Sequence, residues 1–258
     1  KSIEITPRGW ELYECACHIL RLRDNLLQRW EGESRKIIRL GASTIPSAYI
    51  LPELLPAYGK AHPDTYFSIH QSDSQGIVDG LLQGNFDVGL VGMRCADEAL
   101  ACIPFYQDRM VLITPVNEHF LALKAQGAFP VEALLGEAMI LRENGSGSKK
   151  SADRFLESMG IQESELQVIA RINDQEAIKN LVAQGLGISI LSERAARNFC
   201  EEKRLLGFEL PESAARRSLY LIYQKNYILK PYIQKFAEFV KRFYPSAEPE
   251  SAEPVKAR

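Results

Sequence analysis

The chain has 258 residues, is 46% hydrophobic, and carries 31 Lys and Arg against 33 Asp and Glu, a net charge of -2. That length supports a sizeable core in one large domain or two lobes, and the charge balance argues against a surface built to grip phosphate backbones. No apolar run reaches the about 20 residues of a membrane helix, and the first residues lack the apolar segment of a secretory signal. Five cysteines (Cys15, Cys17, Cys95, Cys102, Cys200) form an odd set without a CxxC pair, which reads as reduced, buried thiols in the cytoplasm.

Lys1 to Ile5 alternates like the end of a strand, and Thr6-Pro7 then supplies an N-cap hydroxyl followed by proline at the first helical position. The helix that starts there carries Leu12, Ala16, Ile19, Arg23, Leu26 and Trp30 at alternating spacings of four and three, a heptad-like seam. Packing on the chain's own body would bury such a seam, but a second copy of the same helix is the simpler partner. Glu31-Gly32-Glu33-Ser34 then breaks the pattern like a hinge.

From Lys36 short apolar runs alternate with helical stretches, which predicts βαβ units and a parallel sheet. Strands are expected at 37–42, 66–71 and 87–91, with helices at 51–60 and 74–83. Two strand-like runs, 103–106 and 110–114, lead into a second series. Its helices fall at 117–124, 131–135, 148–159 and 175–183, and its strands at 138–141, 166–172 and 188–191. A strand at 218–223 and an amphipathic helix at 230–243 follow, and the tail from Ser246 to Arg258 has too little apolar surface to fold. The stretch from Ser74 through Gln83-Gly84 to Asp87-Val88-Gly89-Leu90 mirrors that from Asp174 through Gln184-Gly185 to Ile188-Ser189-Ile190-Leu191: cap, helix, Gln-Gly break and buried strand, one copy in each half.

In open parallel sheets, strand ends feed helix N-termini whose free amides attract anionic or polar groups. Four such turns are polar: one at Ser43 and Thr44, one at Ser72, Asp73 and Ser74, one at Ser146 and Ser148, and one at Asn173, Asp174 and Gln175. Helix capping accounts for any one of them alone. Two turns from each half converging on one crevice point instead to a site for a carboxylate or a sulfate-like anion. Arg94, Arg142 and Lys149 stand near these loops, and Asp73 and Asp174 would suit the ammonium of an amino-acid-like ligand.

No catalytic set stands out, so the chain does not read as an enzyme, and no cofactor is implied. The four histidines lack metal-ligand spacing, so no metal is expected, and Gly145 to Lys150 lacks the GxxxxGK(S/T) spacing of a phosphate loop. Gly185-Leu186-Gly187 leads into a strand and is no dinucleotide fingerprint, and the GxSxG nucleophile elbow is absent.

Together these motifs resemble the LysR-type transcriptional regulators, in particular the branch that controls cysteine and sulfur metabolism. The resemblance rests on Ile5-Thr6-Pro7-Arg8-Gly9, Leu40-Gly41-Ala42-Ser43-Thr44, Leu51-Pro52-Glu53-Leu54-Leu55, Asp87-Val88-Gly89-Leu90-Val91, Arg142 to Ser148, and Gly185 to Leu191, in the family's order. It implies an α/β, two-lobed periplasmic-binding-protein-like (type 2) effector domain whose lobes are joined by two crossing strands, near Val111 to Pro115 and Leu219 to Gln224, after a long linker helix. The implied divisions are a winged helix-turn-helix remnant at 1–8, the linker helix and hinge at 9–34, lobe I at 36–114 plus 222–245, lobe II at 115–221, and a disordered tail at 246–258.

The family's effectors sit between the lobes, on turns that match Ser43, Thr44, Ser72, Ser74, Ser146, Ser148 and Asn173 to Gln175. Also implied are a bacterial, cytoplasmic homodimer or homotetramer, paired through Leu12, Ala16, Ile19, Leu26 and Trp30, and DNA contact only through the missing N-terminal head. The alternative reading is a solute-binding protein of a transport system, which shares the fold and cleft.

Overall fold

The computed structural model describes residues 5–30, 36–127, 131–211 and 216–244. The strand-like start at 1–4, the hinge at 31–34 and the tail at 246–258 lie outside the described residues. Helix α1 (Pro7–Trp30) begins where Thr6-Pro7 predicts, with Thr6 Oγ1 accepting from the Gly9 amide at 3.1 Å. Its seam residues Leu12, Ala16 and Ile19 are exposed, Leu12 at 70%. The side chains of Leu26 and Trp30 lie outside the described set.

The first lobe is built on β1 (Lys36–Ser43), which pairs in parallel with β2 (Thr65–Ser72) on one side and β3 (Val88–Val91) on the other. Helix α2 (Leu51–Ala61), entered through a π-helical turn at Pro46–Ile50, covers one face together with the final helix α9 (Pro231–Phe243). Leu54, Tyr58, Phe236 and Val240 pack there on Ile38 and Leu40. Helix α3 (Ser74–Leu82) covers the opposite face, where Ile77 and Leu81 meet Val91 and Ile222. A sheet with helices on both faces needs strands apolar on both sides, which is why all four residues of β3 are buried.

The second lobe follows the same plan. Its β5 (Ala138–Arg142) and β6 (Gln167–Ile172) are parallel, and Ile188 bridges β5 to the short strand β7 (Ser189–Ser192). Helices α4 (Glu118–Ala125), α5 (Val131–Gly136) and α6 (Gly147–Ser158) belong to one side, where Phe120, Leu134 and Phe155 form a core. On the other side α7 (Gln175–Ala183) and α8 (Glu193–Glu201) bury Ile178, Val182 and Phe199. Strand β8 (Leu206–Glu209) completes the lobe.

Two strands cross between the lobes. The runs expected at 103–106 and 110–114 are one strand, β4 (Leu100–Thr114), with a register shift between Pro104 and Tyr106. Proline has no amide to donate, so the ladder slips there rather than stopping. The polar stretch Gln107 to Arg109, which looks like a break, remains paired with β9 (Arg216–Gln224).

Beyond it, Met110 to Ile113 pair with β7, and Val111 to Thr114 with β8. The last residues of β4 thus join the second lobe's sheet, whereas Tyr220 to Ile222 of β9 pair with β3 in the first. Asp108 and Arg217 face each other where the two strands pass between the lobes. The structure also contains α8 and β8, neither of which the periodicity predicts: α8 buries little beyond Ala195, Ala196 and Phe199, too narrow an apolar face to read.

The four described cysteines are free, but Cys15 is exposed and Cys95, Cys102 and Cys200 are only half-buried, a correction to the expectation of buried thiols. Burial still raises the Cys102 and Cys200 thiols above their ordinary pKa. Among the described residues, no helix is long and apolar enough to cross a membrane.

The crossing strands are pinned by a buried ion pair. Arg217 Nε and Nη2 lie 2.8 and 2.7 Å from Asp108 Oδ2, with both side chains at most 2% exposed. Ser192 Oγ donates to Asp108 Oδ1 at 2.8 Å, so the carboxylate also ties down the end of β7. Removing one member of such a pair leaves a bare buried charge, a cost of about 3–5 kcal/mol, whereas removing both does not. Denaturant unfolding is therefore expected to show Asp108→Leu and Arg217→Met each strongly destabilised and the double variant less so than either. Additive losses would contradict the pairing.

Candidate functional site

Three helices bring their N-termini to one cleft between the lobes. Helix α3 comes from the first lobe, α6 and α7 from the second, and each leaves backbone amides pointing into the gap. The cleft is narrow, about 220 Å³ including its open mouth. At its tightest point a Cβ on Gly147, the first residue of α6, would lie 2.4 Å from the Gly92 carbonyl oxygen, so only glycine lets the two lobes approach this closely.

Two arginines enter from opposite sides. Arg142, at the end of β5, has a side chain 2% exposed and donates from Nε and Nη2 to Glu143, both at 2.8 Å, and from Nη2 to Thr44 Oγ1 at 3.4 Å. Its Nη1 is buried and has no hydrogen-bond partner among the described residues. Arg217 turns from Asp108 to the cleft, where its Nη1 donates to Ser148 Oγ at 3.0 Å. Gln175, first residue of α7, is 2% exposed, and its amide nitrogen and amide oxygen both lack partners among the described residues. A buried polar group left unpaired costs about 1–3 kcal/mol. Among the described residues, the cleft therefore presents unmet donors at Arg142 and Gln175 and an unmet acceptor at Gln175.

Hydroxyls fill the space between them. Ser43 and Thr44 lie at the end of β1, and Ser74 Oγ accepts from the Gly92 amide at 3.2 Å. Ser146 stands at the N-cap of α6 but its side chain caps nothing. Asp73 caps α3, accepting from the Gly76 amide at 2.6 Å, and still lines the cleft. Gly145 holds a φ of +90°, and a Cβ there would crowd Asp73 Oδ2 at 2.9 Å.

Of the nine residues the sequence nominates, Ser43, Thr44, Ser74, Ser146, Ser148 and Gln175 line this cleft. Ser72, Asn173 and Asp174 do not. The Ser72 hydroxyl turns back onto α3, occupying the place a Cβ of Gly76 would take. Asn173 and Asp174 are exposed, and Asp174 caps α7 by accepting from the Glu176 amide at 2.8 Å. The two-fold correspondence is thus one residue out of phase: Asp73 and Asp174 are the paired caps, and Ser74 and Gln175 the paired inward residues.

Of the three nearby cations, Arg142 reaches the cleft. Lys149 is held by Asp153 and, at 2.7 Å, by Glu163, whose carboxyl the Lys149 ammonium keeps below its usual range. Arg94 lines a different cavity. Arg217, Ile45 and Gly92 also line the cleft, outside the turns that the sequence marks.

Further contacts bind the lobes outside the cleft. Tyr49 donates to Glu176 Oε1 at 3.0 Å, and burial followed by the Glu176 charge pushes this phenol above its ordinary pKa. Arg194 donates to Tyr106 at 2.8 Å and pairs with Glu53.

A two-lobed α/β body of this kind is found in known proteins. Residues 31–245 match the family model described as the LysR substrate binding domain. The chain belongs to the LysR family. The HTH-type transcriptional regulator MJ0300 of Methanocaldococcus jannaschii is 31% identical to it over 246 residues, covering 94% of this chain and 81% of that protein.

Among solved LysR-like structures, the effector binding domain of QuiR in complex with shikimate aligns with a TM-score of 0.71 at 21% identity, covering 81% of this chain and 97% of that one. The Synechocystis PCC6803 CcmR regulatory domain in complex with 2-PG gives 0.71 at 23%, covering 80% and 96%. Likeness at these identities establishes the shared fold, the periplasmic-binding-protein-like type 2 effector domain expected from the sequence.

Proposed function

We propose that this chain is the effector-sensing and oligomerisation portion of a LysR-type DNA-binding transcription regulator, and that it binds a small anionic or amino-acid-like metabolite between its lobes. Binding would control how the full-length protein engages its promoter. The observation that carries the reading is the set of unpaired buried groups in the cleft: Arg142 Nη1 and both ends of the Gln175 amide. An acid group between Arg142, the Thr44 and Ser146 hydroxyls and the α6 amides would satisfy the guanidinium, and Gln175 would both donate and accept. Asp73 is placed for an ammonium or hydroxyl at the other end of the same ligand.

Lobe I is taken as residues 36–109 with 216–244, and lobe II as the stretch between them. Ligand in the cleft touches both and so favours one lobe arrangement over others. The regulator family and the exposed seam of α1 favour this reading over a solute-binding protein of a transport system. The seam is proposed to pair with a second copy through Leu12, Ala16, Ile19, Leu26 and Trp30, giving a homodimer or homotetramer.

Calorimetric titration with sulfate, thiosulfate and O-acetylserine tests the site. A hydrogen bond to a charged group contributes about 1.5–3 kcal/mol, so a ligand of the intact chain should bind Arg142→Met and Thr44→Ala/Ser146→Ala at least tenfold more weakly. Unchanged affinity in both variants would sink the assignment. For the seam, sedimentation velocity of Leu12→Asp/Ile19→Asp should show a smaller assembly than the parent, and an unchanged mass would contradict pairing through this helix.

A further inference from the structure

A second, larger cavity opens beside the first and shares Gly92 with it, enclosing about 760 Å³ including its mouth. Its walls come from three sources: the loop after β3 with Met93 and Arg94, one face of α6, and β9 with Ser218 and Tyr220. On α6, Lys150, Asp153, Arg154 and Glu157 follow the i, i+3, i+4, i+7 spacing of one helix face, while the same helix gives its N-terminus to the first cleft.

We propose that this cavity is a second binding site, for an organic anion with an apolar body, such as an aromatic carboxylate. Ser218 is 2% exposed, lines this space, and its Oγ has no hydrogen-bond partner among the described residues. Met93 and Tyr220, 7% and 5% exposed, form an apolar floor. Arg94 and Lys150 stand exposed on the rim and form no ion pair among the described residues, whereas the Asp153 carboxylate is taken up by Lys149.

The site thus offers a buried hydrogen-bonding group below, apolar contact around it and positive charge at the mouth. That sequence fits an amphiphilic anion and gives a simple inorganic anion no use for the floor. Pockets of a few hundred Å³ that are mostly apolar with a few placed polar groups are the ordinary form of small-molecule sites.

Position makes the second site more than a store. Ser218 follows Arg217, whose guanidinium reaches Ser148 in the first cleft, and α6 borders both cavities. An occupant braces the first lobe against the second at the crossing strand. It therefore alters the affinity of the first cleft, and the first ligand alters that of the second by the same factor.

Fluorescence titration of the whole chain with 1-naphthoate, an aromatic carboxylate, tests the assignment. One equivalent is expected to bind. Affinity should fall at least tenfold in Arg94→Gln/Lys150→Gln, whose exposed positions leave the melting curve unchanged, and at least threefold in Ser218→Ala. Arg142→Met, altered in the first cleft, should retain the site.

Absence of naphthoate binding at millimolar concentration would overturn the proposal. So would equal binding by the Arg94/Lys150 variant, or loss confined to Arg142→Met. Sulfate competing as well as naphthoate would refute the apolar part.

Discussion

The Arg217 to Asp108 ion pair sits where the two crossing strands pass between the lobes, and the geometry of the cleft depends on it. An arginine and an aspartate at most 2% exposed offset each other's charge there, and Ser192 and Ser148 take up further bonding positions. The pair links four elements: β4, β9, the end of β7 and the start of α6. Movement of α6 relative to the first lobe must therefore either carry Arg217 with it or break its bond to Ser148. This arrangement suits a relay, because a ligand that positions α6 acts directly on the joint between the lobes.

The cleft itself follows from the repeated βα design. Each lobe turns a helix N-terminus toward the other, with an aspartate cap at Asp73 or Asp174 and a buried polar residue at Ser74 or Gln175 just inside it. The caps settle local backbone amides, so the inward residues are left for other partners. Gly92 and Gly147 remove the side chains that would hold the lobes apart. Donors, hydroxyls and one carboxylate surround a small volume, in a chain of the LysR family.

Much of this was legible in the sequence because apolar period and helix caps are local properties. The strand and helix order through residues 36–243 follows from them, as do the polar turns that line the cleft. The failures share one physical cause, the dependence of a residue's role on partners far away in the chain. Asp108 and Arg217 are 109 residues apart, and each alone looks like a solvated charge interrupting an apolar strand. Seen together, the opposite charges at corresponding interruptions were the available signal. The phase error at Ser74 arose because serine and aspartate are both good caps, and which one turns inward is settled by packing against Gly92.

The unpaired Arg142 and Gln175 groups are proposed to hold an acid between the lobes. The decisive experiment is a crystal structure of the chain grown with the tightest acid whose thermal shift is lost in Arg142→Met. One ligand per chain is expected in the cleft, its acid group within hydrogen-bond distance of Arg142 Nη1 and its remaining polar atoms on the Gln175 amide. Density for the acid away from the cleft, with Arg142 and Gln175 still unpaired, would contradict it.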